Sequence, residues 1–91
     1  MRRAAKVDVN QREIVNGLRR LGCTVQILSA VGHGCPDILA GHLGANFLFE
    51  IKTEKGKLTP DELAWRENWL GQVHIVRTLD EALDVVGIRF Q

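Results

Sequence analysis

Hydrophobic and polar positions recur along this chain with two different periods, which divide it into short helices and strands. Ile14, Leu18 and Leu21 follow the spacing of a helix that Asn10 caps and Gly22 ends. Runs of β-branched and apolar residues predict the strands. The predicted elements are a helix at 10–21, strands at 24–28, 37–41 and 46–53, a helix at 60–70, a strand at 72–77 and a last helix that begins at 78 and ends at Gly87. The order α-β-β-β-α-β-α predicts a mixed α/β fold, with a small mixed sheet flanked by helices.

Length and composition narrow the class of protein. A chain of 91 residues predicts one domain that spans 1–91. The charge-poor stretch at 21–49 is interrupted by Asp37 and several glycines, so we expect no membrane span. The start of the chain lacks the apolar segment of a signal peptide, and we expect a cytoplasmic protein. Cys23 and Cys35 form no CxxC pair, which predicts buried free thiols rather than a disulfide or a zinc site.

Two acidic residues stand apart from the other charges. Between Arg20 and Lys52, only Asp37 and Glu50 carry formal charge, and both lie in segments that otherwise have the pattern of buried strands. A buried carboxylate is costly unless it is paired or bound to a cation. These two residues therefore call for a chemical explanation.

A hairpin of the second and third predicted strands would bring the two carboxylates together. With a four-residue loop at 42–45, Leu39 faces Leu48 and Asp37 faces Glu50, with Cβ atoms roughly 5 Å apart. Alternation along the strand adds the Lys52 side chain to the same face. The opposite face then takes core residues, which are Phe47, Phe49 and Ile51.

This arrangement has two interpretations. Two opposed like charges destabilise a hairpin, whereas a divalent cation between them converts repulsion into chelation. Carboxylate oxygens suit Mg²⁺ or Mn²⁺, and an ammonium beside the cation could orient or deprotonate a water, or offset charge in a transition state. The alternative is a structural ion pair between Lys52 and a carboxylate in a half-exposed strand.

Three motifs, in this order, resemble a known family. They are Gly34-Cys35-Pro36-Asp37, then Phe49-Glu50-Ile51-Lys52, then Leu58-Thr59-Pro60 with Trp65. Together they resemble the PD-(D/E)xK nuclease superfamily and, within it, a stand-alone phage-type or bacterial member of the VRR-NUC family. The likeness covers the chain from Glu13 to Val76. It implies a restriction-endonuclease-like core and a DNA endonuclease that depends on Mg²⁺ or Mn²⁺.

The resemblance also implies a role for each matched residue. Asp37 and Glu50 would bind the metal, with the backbone carbonyl of Ile51 as a further ligand. Lys52 would be the catalytic lysine. Glu13 matches an acidic residue that reaches toward the metal, usually through water.

Two of the matched positions have alternative interpretations. Glu13 is also placed to complete a capping box with Asn10. Glu62 stands where the family usually carries a glutamine, and its carboxylate would repel phosphate unless a metal or a proton intervened. Its alternative role is capping partner to Thr59.

Basic residues provide the expected DNA contacts. The net charge is only +1, but residues 1–22 carry a surplus of four positive charges. The expected phosphate contacts are Arg2, Arg3, Arg12, Arg19 and Arg20 on the first segment, and Lys55 and Lys57 beside the site. The alternative for such charges is a solvated face. Without an RNA-binding motif or a zinc finger, we expect recognition of DNA shape rather than sequence.

The expected partners are branched DNA and a second copy of the chain. The resembled family implies homodimers that act on four-way (Holliday) junctions in DNA repair. On the second long helix, Leu63 and Leu70 point one way and Trp65 and Trp69 point roughly 130° away. One stripe could serve the core and the other a partner subunit, or the helix could be buried on all sides. We expect neither a membrane partner nor a small-molecule cofactor.

Two other functions stay open. The first is a non-catalytic DNA-binding or interaction module of the same fold, in which the carboxylates are structural. The second is a metal-binding enzyme that acts on something other than nucleic acid, against which the basic clusters argue. A triad hydrolase is disfavoured, because Ser29 lies in no nucleophile motif and the histidines at 33, 42 and 74 do not cluster by spacing.

Overall fold

The computed structural model describes residues 5–89, with side chains from Val9 onward; Arg2 and Arg3 lie outside the described residues. Its elements are α1 (Ala5–Arg20), β1 (Thr24–Ile27), β2 (Ile38–His42), β3 (Ala45–Ile51), α2 (Pro60–Asn68), β4 (His74–Val76) and α3 (Leu79–Val86). The predicted mixed α/β class and element order are therefore confirmed. Within the described residues, no helix combines the length and the apolar character needed to cross a membrane.

The four strands form one mixed sheet in the order β1-β2-β3-β4. β2 is antiparallel to both β1 and β3, whereas β3 and β4 are parallel. Parallel neighbours need a crossover connection, and the segment that contains α2 provides it. The β2–β3 loop has two residues, Leu43 and Gly44, rather than the predicted four. Because both loops share one centre, Leu39 pairs with Leu48 as predicted.

The core lies between one face of the sheet and the helices α1 and α3. Its buried residues are Ile14, Val15, Leu18, Cys23, Ile38, Ala40, Phe49, Ile51, Val76, Ala82, Leu83 and Val86. The two helices approach closely at Gly17, where a Cβ would overlap the side chain of Leu79. Phe49 and Ile51 are buried and Phe47 is half-buried, as expected. Leu39 and Leu48, on the opposite face, are half-buried.

The first helix begins earlier than the sequence predicted. It begins at Ala5 rather than near residue 10, so Asn10 lies inside the helix and caps nothing. The capping box between Asn10 and Glu13 is therefore wrong. The end is as expected: Gly22 has a φ of 105°, and the amide of Cys23 donates to the carbonyl of Leu18 at 2.9 Å. This 6→1 hydrogen bond closes the helix in a Schellman motif.

The later boundaries follow their capping signals. Thr59 caps α2 and Thr78 caps α3, and α3 ends at Gly87 in a left-handed conformation. α2 ends at Asn68, two residues earlier than predicted, and Leu21 is 36% exposed rather than buried because it follows the last turn of α1. Both cysteines are free, one buried and one half-buried.

Candidate active site

The β2–β3 hairpin brings Asp37 beside Glu50. Asp37 comes directly before β2, and its backbone amide donates to the carbonyl of Phe49 at 2.9 Å. The pairing of Ile38 with Phe49 continues to Asp37 opposite Glu50. The Ile51 amide donates to Asp37 Oδ2 at 2.6 Å, which fixes this carboxylate against β3. The two acidic side chains lie close enough to hydrogen-bond to each other.

Glu50 is the one buried charged side chain between Val9 and Arg89, at 4% exposure. Its burial, the charge of Asp37, the hydrogen bond to Asp37 and the nearby Glu62 raise the pKa of Glu50 to about 9. Burial also raises the pKa of Asp37, although the hydrogen bond from the Ile51 amide opposes this. Without a cation, Glu50 therefore keeps a proton at neutral pH and shares it with Asp37.

Lys52 extends the same face of β3. Its Nζ lies 3.6 Å from Glu50 Oε2 and 2.7 Å from Glu62 Oε1. Burial alone would lower the pKa of Lys52, but the carboxylates of Glu62, Glu50 and Asp37 outweigh burial and raise it above its usual value. The side chain is therefore an ammonium at neutral pH, suited to stabilise negative charge rather than to accept a proton.

Glu62 belongs both to a helix cap and to the site. Its Oε1 accepts a hydrogen bond from the Thr59 amide at 2.9 Å, while its own amide donates to Thr59 Oγ1 at 3.2 Å. The predicted capping box is thus confirmed. The same oxygen also contacts Lys52, and the bonds from Lys52 and Thr59 outweigh burial and lower the pKa of Glu62. The sequence indicated the cap but not the contact with the lysine.

The turn before β2 anchors α2 against this cluster. Gly34 has a φ of 82°, and a Cβ there would overlap the backbone carbonyl of Asp61 in the first turn of α2. Only glycine permits this approach, which holds Glu62 near Lys52. Burial, followed by the charges of Glu50 and Asp37, raises the pKa of Cys35 in the same turn. Cys35 is consequently a neutral thiol at physiological pH.

The carboxylate pair is chemically suited to a hard divalent cation. Mg²⁺ is commonly held by one or two carboxylates, together with water and substrate phosphates. One oxygen of Asp37 accepts the Ile51 amide, which leaves the other and those of Glu50 as possible ligands. Among the described side chains, no three or more His, Cys, Asp or Glu residues group as a metal site. Asp37 and Glu50 are the two carboxylates that this arrangement offers to such a cation.

Other predicted residues lie outside the cluster. Glu13 is exposed on α1, and none of the described contacts joins it to Asp37 or Glu50. It lies one turn from Asn10, whose amide donates to the carbonyl of Lys52 at 3.0 Å. The metal-directed role of Glu13 stays a prediction.

The predicted DNA-binding residues fall into two groups. Lys55 and Lys57 are exposed and lie in the loop that follows Lys52. Arg12 and Arg19 line a groove of about 370 Å³ between α1 and β1, and Arg20 is exposed nearby on α1. Arg19 also donates to the carbonyl of Val25 at 3.0 Å, so it has a structural contact in addition to any with DNA.

The sequence analysis missed the contacts of two polar residues near the site. Asn10 Nδ2 donates to the carbonyls of Lys52 and Arg77, which joins α1 to the ends of β3 and β4. The Arg77 guanidinium donates to the loop after β3. The available signals were Asn10, an isolated asparagine in a helix, and Arg77, a charge directly after an apolar strand. Neither signal specifies a partner.

The fold and the cluster together define a small mixed α/β protein in which buried Glu50 and half-buried Asp37 lie beside a lysine. Comparison of the chain with protein-family models, functionally characterised proteins and solved structures gives no match. The resemblance to the VRR-NUC family rests on the sequence motifs and stays a prediction.

Proposed function

We propose that this protein is a metal-dependent DNA endonuclease of the VRR-NUC type, with Asp37, Glu50 and Lys52 at its catalytic centre. The observation that carries the proposal is Glu50, a carboxyl group that is 4% exposed, lies beside Asp37 and is 3.6 Å from an ammonium. Burying a second carboxyl next to the first costs stability, on the order of several kcal/mol for an ionised group. A domain of this size has little stability to lose, so a cation-binding role explains the arrangement better than a structural one.

Asp37, Glu50 and the Ile51 carbonyl would hold Mg²⁺ or Mn²⁺, which would polarise the scissile phosphate and lower the pKa of the attacking water. Lys52 contributes a fixed positive charge that stabilises negative charge developing on the phosphate oxygens. Glu62 contacts that ammonium at 2.7 Å and keeps it in one orientation.

The charges of the cluster support a divalent cation. When every acid is ionised, Asp37, Glu50 and Glu62 carry three negative charges against one positive charge on Lys52. A cation with two positive charges makes the cluster neutral, and it replaces the proton that Glu50 otherwise keeps. The carboxylate at position 62 then repels phosphate less than it would alone, because the cation and Lys52 offset it.

DNA is the favoured substrate because two exposed cations follow Lys52 closely along the chain. Lys55 and Lys57 follow Lys52 within five residues, and both side chains are exposed. Contacts to phosphate fix a protein on a duplex without specifying sequence. We therefore propose selection by DNA shape, with four-way junctions and other branched duplexes as substrates.

A homodimer would explain the exposed side chains of α2 and the residues that follow it. None of the nine residues of α2, all of which lie in the described part of the chain, is buried. Leu63 is 51% exposed and Leu70 is 99% exposed, while Trp65 and Trp69 stack on each other with ring centroids 4.7 Å apart. The alternative of a helix buried on all sides is wrong. We propose that Leu63 and Leu70 contact a second copy, and sedimentation of a monomer at micromolar concentration would exclude this.

The decisive experiment is cleavage of a labelled DNA panel in the presence and absence of Mg²⁺ or Mn²⁺. The panel contains four-way junctions, flaps, linear duplex and single strands. We expect metal-dependent cleavage of branched DNA, which Asp37→Asn and Lys52→Ala abolish without unfolding the protein. DNA binding without cleavage at any metal concentration would instead favour the non-catalytic module. Wild-type turnover by folded Lys52→Ala would refute the catalytic assignment.

A further inference from the structure

The guanidinium of Arg77 organises the turn that follows β3. Its Nη1 donates to the backbone carbonyls of Thr53 at 2.6 Å, Gly56 at 2.9 Å and Glu54 at 3.5 Å. The Gly56 amide also donates to the Thr53 carbonyl at 3.0 Å, which makes residues 53–56 a β-turn. Three carbonyl oxygens of this turn therefore converge on one positively charged group.

Arg77 is itself fixed by hydrogen bonds at its backbone amide and its backbone carbonyl. Its amide donates to Glu81 Oε1 at 2.6 Å, at the start of α3. Its carbonyl accepts a hydrogen bond from Asn10 Nδ2 at 3.2 Å. The same Asn10 amide group donates to the carbonyl of Lys52. Arg77 thus links α1 and the start of α3 to the segment that follows Lys52.

The turn that Arg77 holds, together with the residue after it, carries two exposed cations. We call residues 53–57 the basic turn, because Lys55 and Lys57 are exposed there while Thr53 and Gly56 are half-buried. None of its residues belongs to the hydrophobic core of the described chain. Ordering this turn therefore adds little to core packing, whereas it restricts where the two ammonium groups lie relative to Lys52.

We propose that Arg77 is a positioning residue that holds the basic turn, so that Lys55 and Lys57 bind the phosphate backbone of DNA next to the catalytic centre. This inference rests on the proposed function. Arginine suits the role because its planar group offers several donors in fixed geometry, whereas lysine offers a mobile point charge. If Arg77 acts through the lysines, its removal costs affinity only while the lysines are present.

A double-mutant cycle tests this dependence. Binding of a labelled four-way junction is measured by fluorescence anisotropy, with Ca²⁺ in place of Mg²⁺ to separate binding from cleavage. The proteins are wild type, Arg77→Met, Lys55→Ala/Lys57→Ala and the combination of all three substitutions. We expect Arg77→Met and the lysine pair each to weaken binding about tenfold, and the combination to add no more than about twofold to the loss from the lysine pair. Arg77→Lys should fall between wild type and Arg77→Met.

A second measurement reports the turn without DNA. Trypsin should cut after Lys55 and Lys57 faster in Arg77→Met than in wild type, because the turn loses three hydrogen bonds. Arg89→Met is the matched control: Arg89 is exposed, pairs with Asp84 at 3.2 Å and makes none of the contacts with this turn. It should behave as wild type in both assays.

The outcomes separate the two proposals. Additive losses in the cycle, or an unchanged trypsin rate in folded Arg77→Met, would overturn the role of Arg77 and leave the nuclease proposal standing. Failure of the wild-type protein to bind any DNA in Ca²⁺ or Mg²⁺ would overturn both.

Discussion

Replacing Glu50 by glutamine should change how the stability of the metal-free protein depends on pH. Glutamine keeps the size and hydrogen bonding of the protonated acid but cannot ionise. The pKa of Glu50 is 4.5 in the unfolded chain and about 9 in the folded protein. Between these values the folded protein keeps a proton that the unfolded chain has lost. Wild-type stability should therefore fall as pH rises through this window.

The magnitude follows from the width of the window. The proton's contribution is complete below the unfolded pKa of 4.5, declines as pH rises and is lost above the folded pKa of about 9. Each unit within the window changes the free energy of unfolding by about 1.4 kcal/mol. From about pH 5.5 to about pH 8, wild type should lose about 3 kcal/mol more stability than Glu50→Gln. The raised pKa of Asp37 acts in the same direction.

Lys52 and Glu62 do not alter the difference in pH-dependent stability between wild type and Glu50→Gln. The pKa of Lys52 is raised from 10.5 and that of Glu62 is lowered from 4.5, so neither titrates in the window. The two proteins differ only at position 50, so every other side chain is common to both sides of the comparison.

The assay is urea unfolding in EDTA, followed by the fluorescence of the two tryptophans at both pH values. Glu67→Gln is the matched control, because it removes an exposed carboxylate from α2 and should keep the wild-type pH dependence. If Glu50→Gln and wild type lose the same stability over the window, within about 0.5 kcal/mol, Glu50 is not held protonated in the fold. The burial and clustering on which the site depends would then be wrong.

Three further predictions concern the same cluster. Ca²⁺ or Mg²⁺ should raise the melting temperature of wild type and leave Asp37→Asn unchanged, because a ligand stabilises only the form that binds it; equal shifts in calorimetry would exclude Asp37 as a ligand. Glu62→Gln should tighten DNA binding about two- to fivefold, since it removes a negative charge beside Lys52 while keeping a capping oxygen; weaker binding in anisotropy would contradict this. Gly34→Ala should lose more stability and more cleavage than Gly32→Ala, because both positions have positive φ but only Gly34 adjoins the Asp61 carbonyl; equal losses would refute the anchoring role of that contact.

The fold was largely predictable because its signals are local. Capping residues at Thr59 and Thr78, and the glycine at position 22, determine where helices begin or end, and each of these is confirmed. The start of α1 was mispredicted because Asn10 has the chemistry of a cap. Its side-chain amide instead donates to the distant carbonyls of Lys52 and Arg77. Sequence patterns report neighbours in the chain, and these partners lie 42 and 67 residues away.

The site, like the fold, was predictable only where it depends on local sequence patterns. The proximity of Asp37 and Glu50 followed from side-chain alternation and hairpin register. The register was correct although the loop has two residues rather than four, because both loops have the same centre. The contact between Glu62 and Lys52 could not be derived in this way, since it depends on where α2 approaches the sheet. That approach is determined by the close contact of Gly34 with Asp61, a matter of shape rather than of pattern.

The anchoring of α2 explains two features that would otherwise be unrelated. The first turn of α2 is held by Gly34 and by the salt bridge that the Lys52 ammonium donates to Glu62, so it belongs to the cluster. The rest of the helix makes no comparable contact with the described core, which is why Leu63 stays exposed. A partner bound to that exposed side would contact the same helix that places the Glu62 carboxylate beside Lys52. If the homodimer forms through α2, dimerisation and the geometry of Lys52 are therefore mechanically coupled, and a Leu63→Glu variant that is monomeric should cleave more slowly even where its DNA binding is retained.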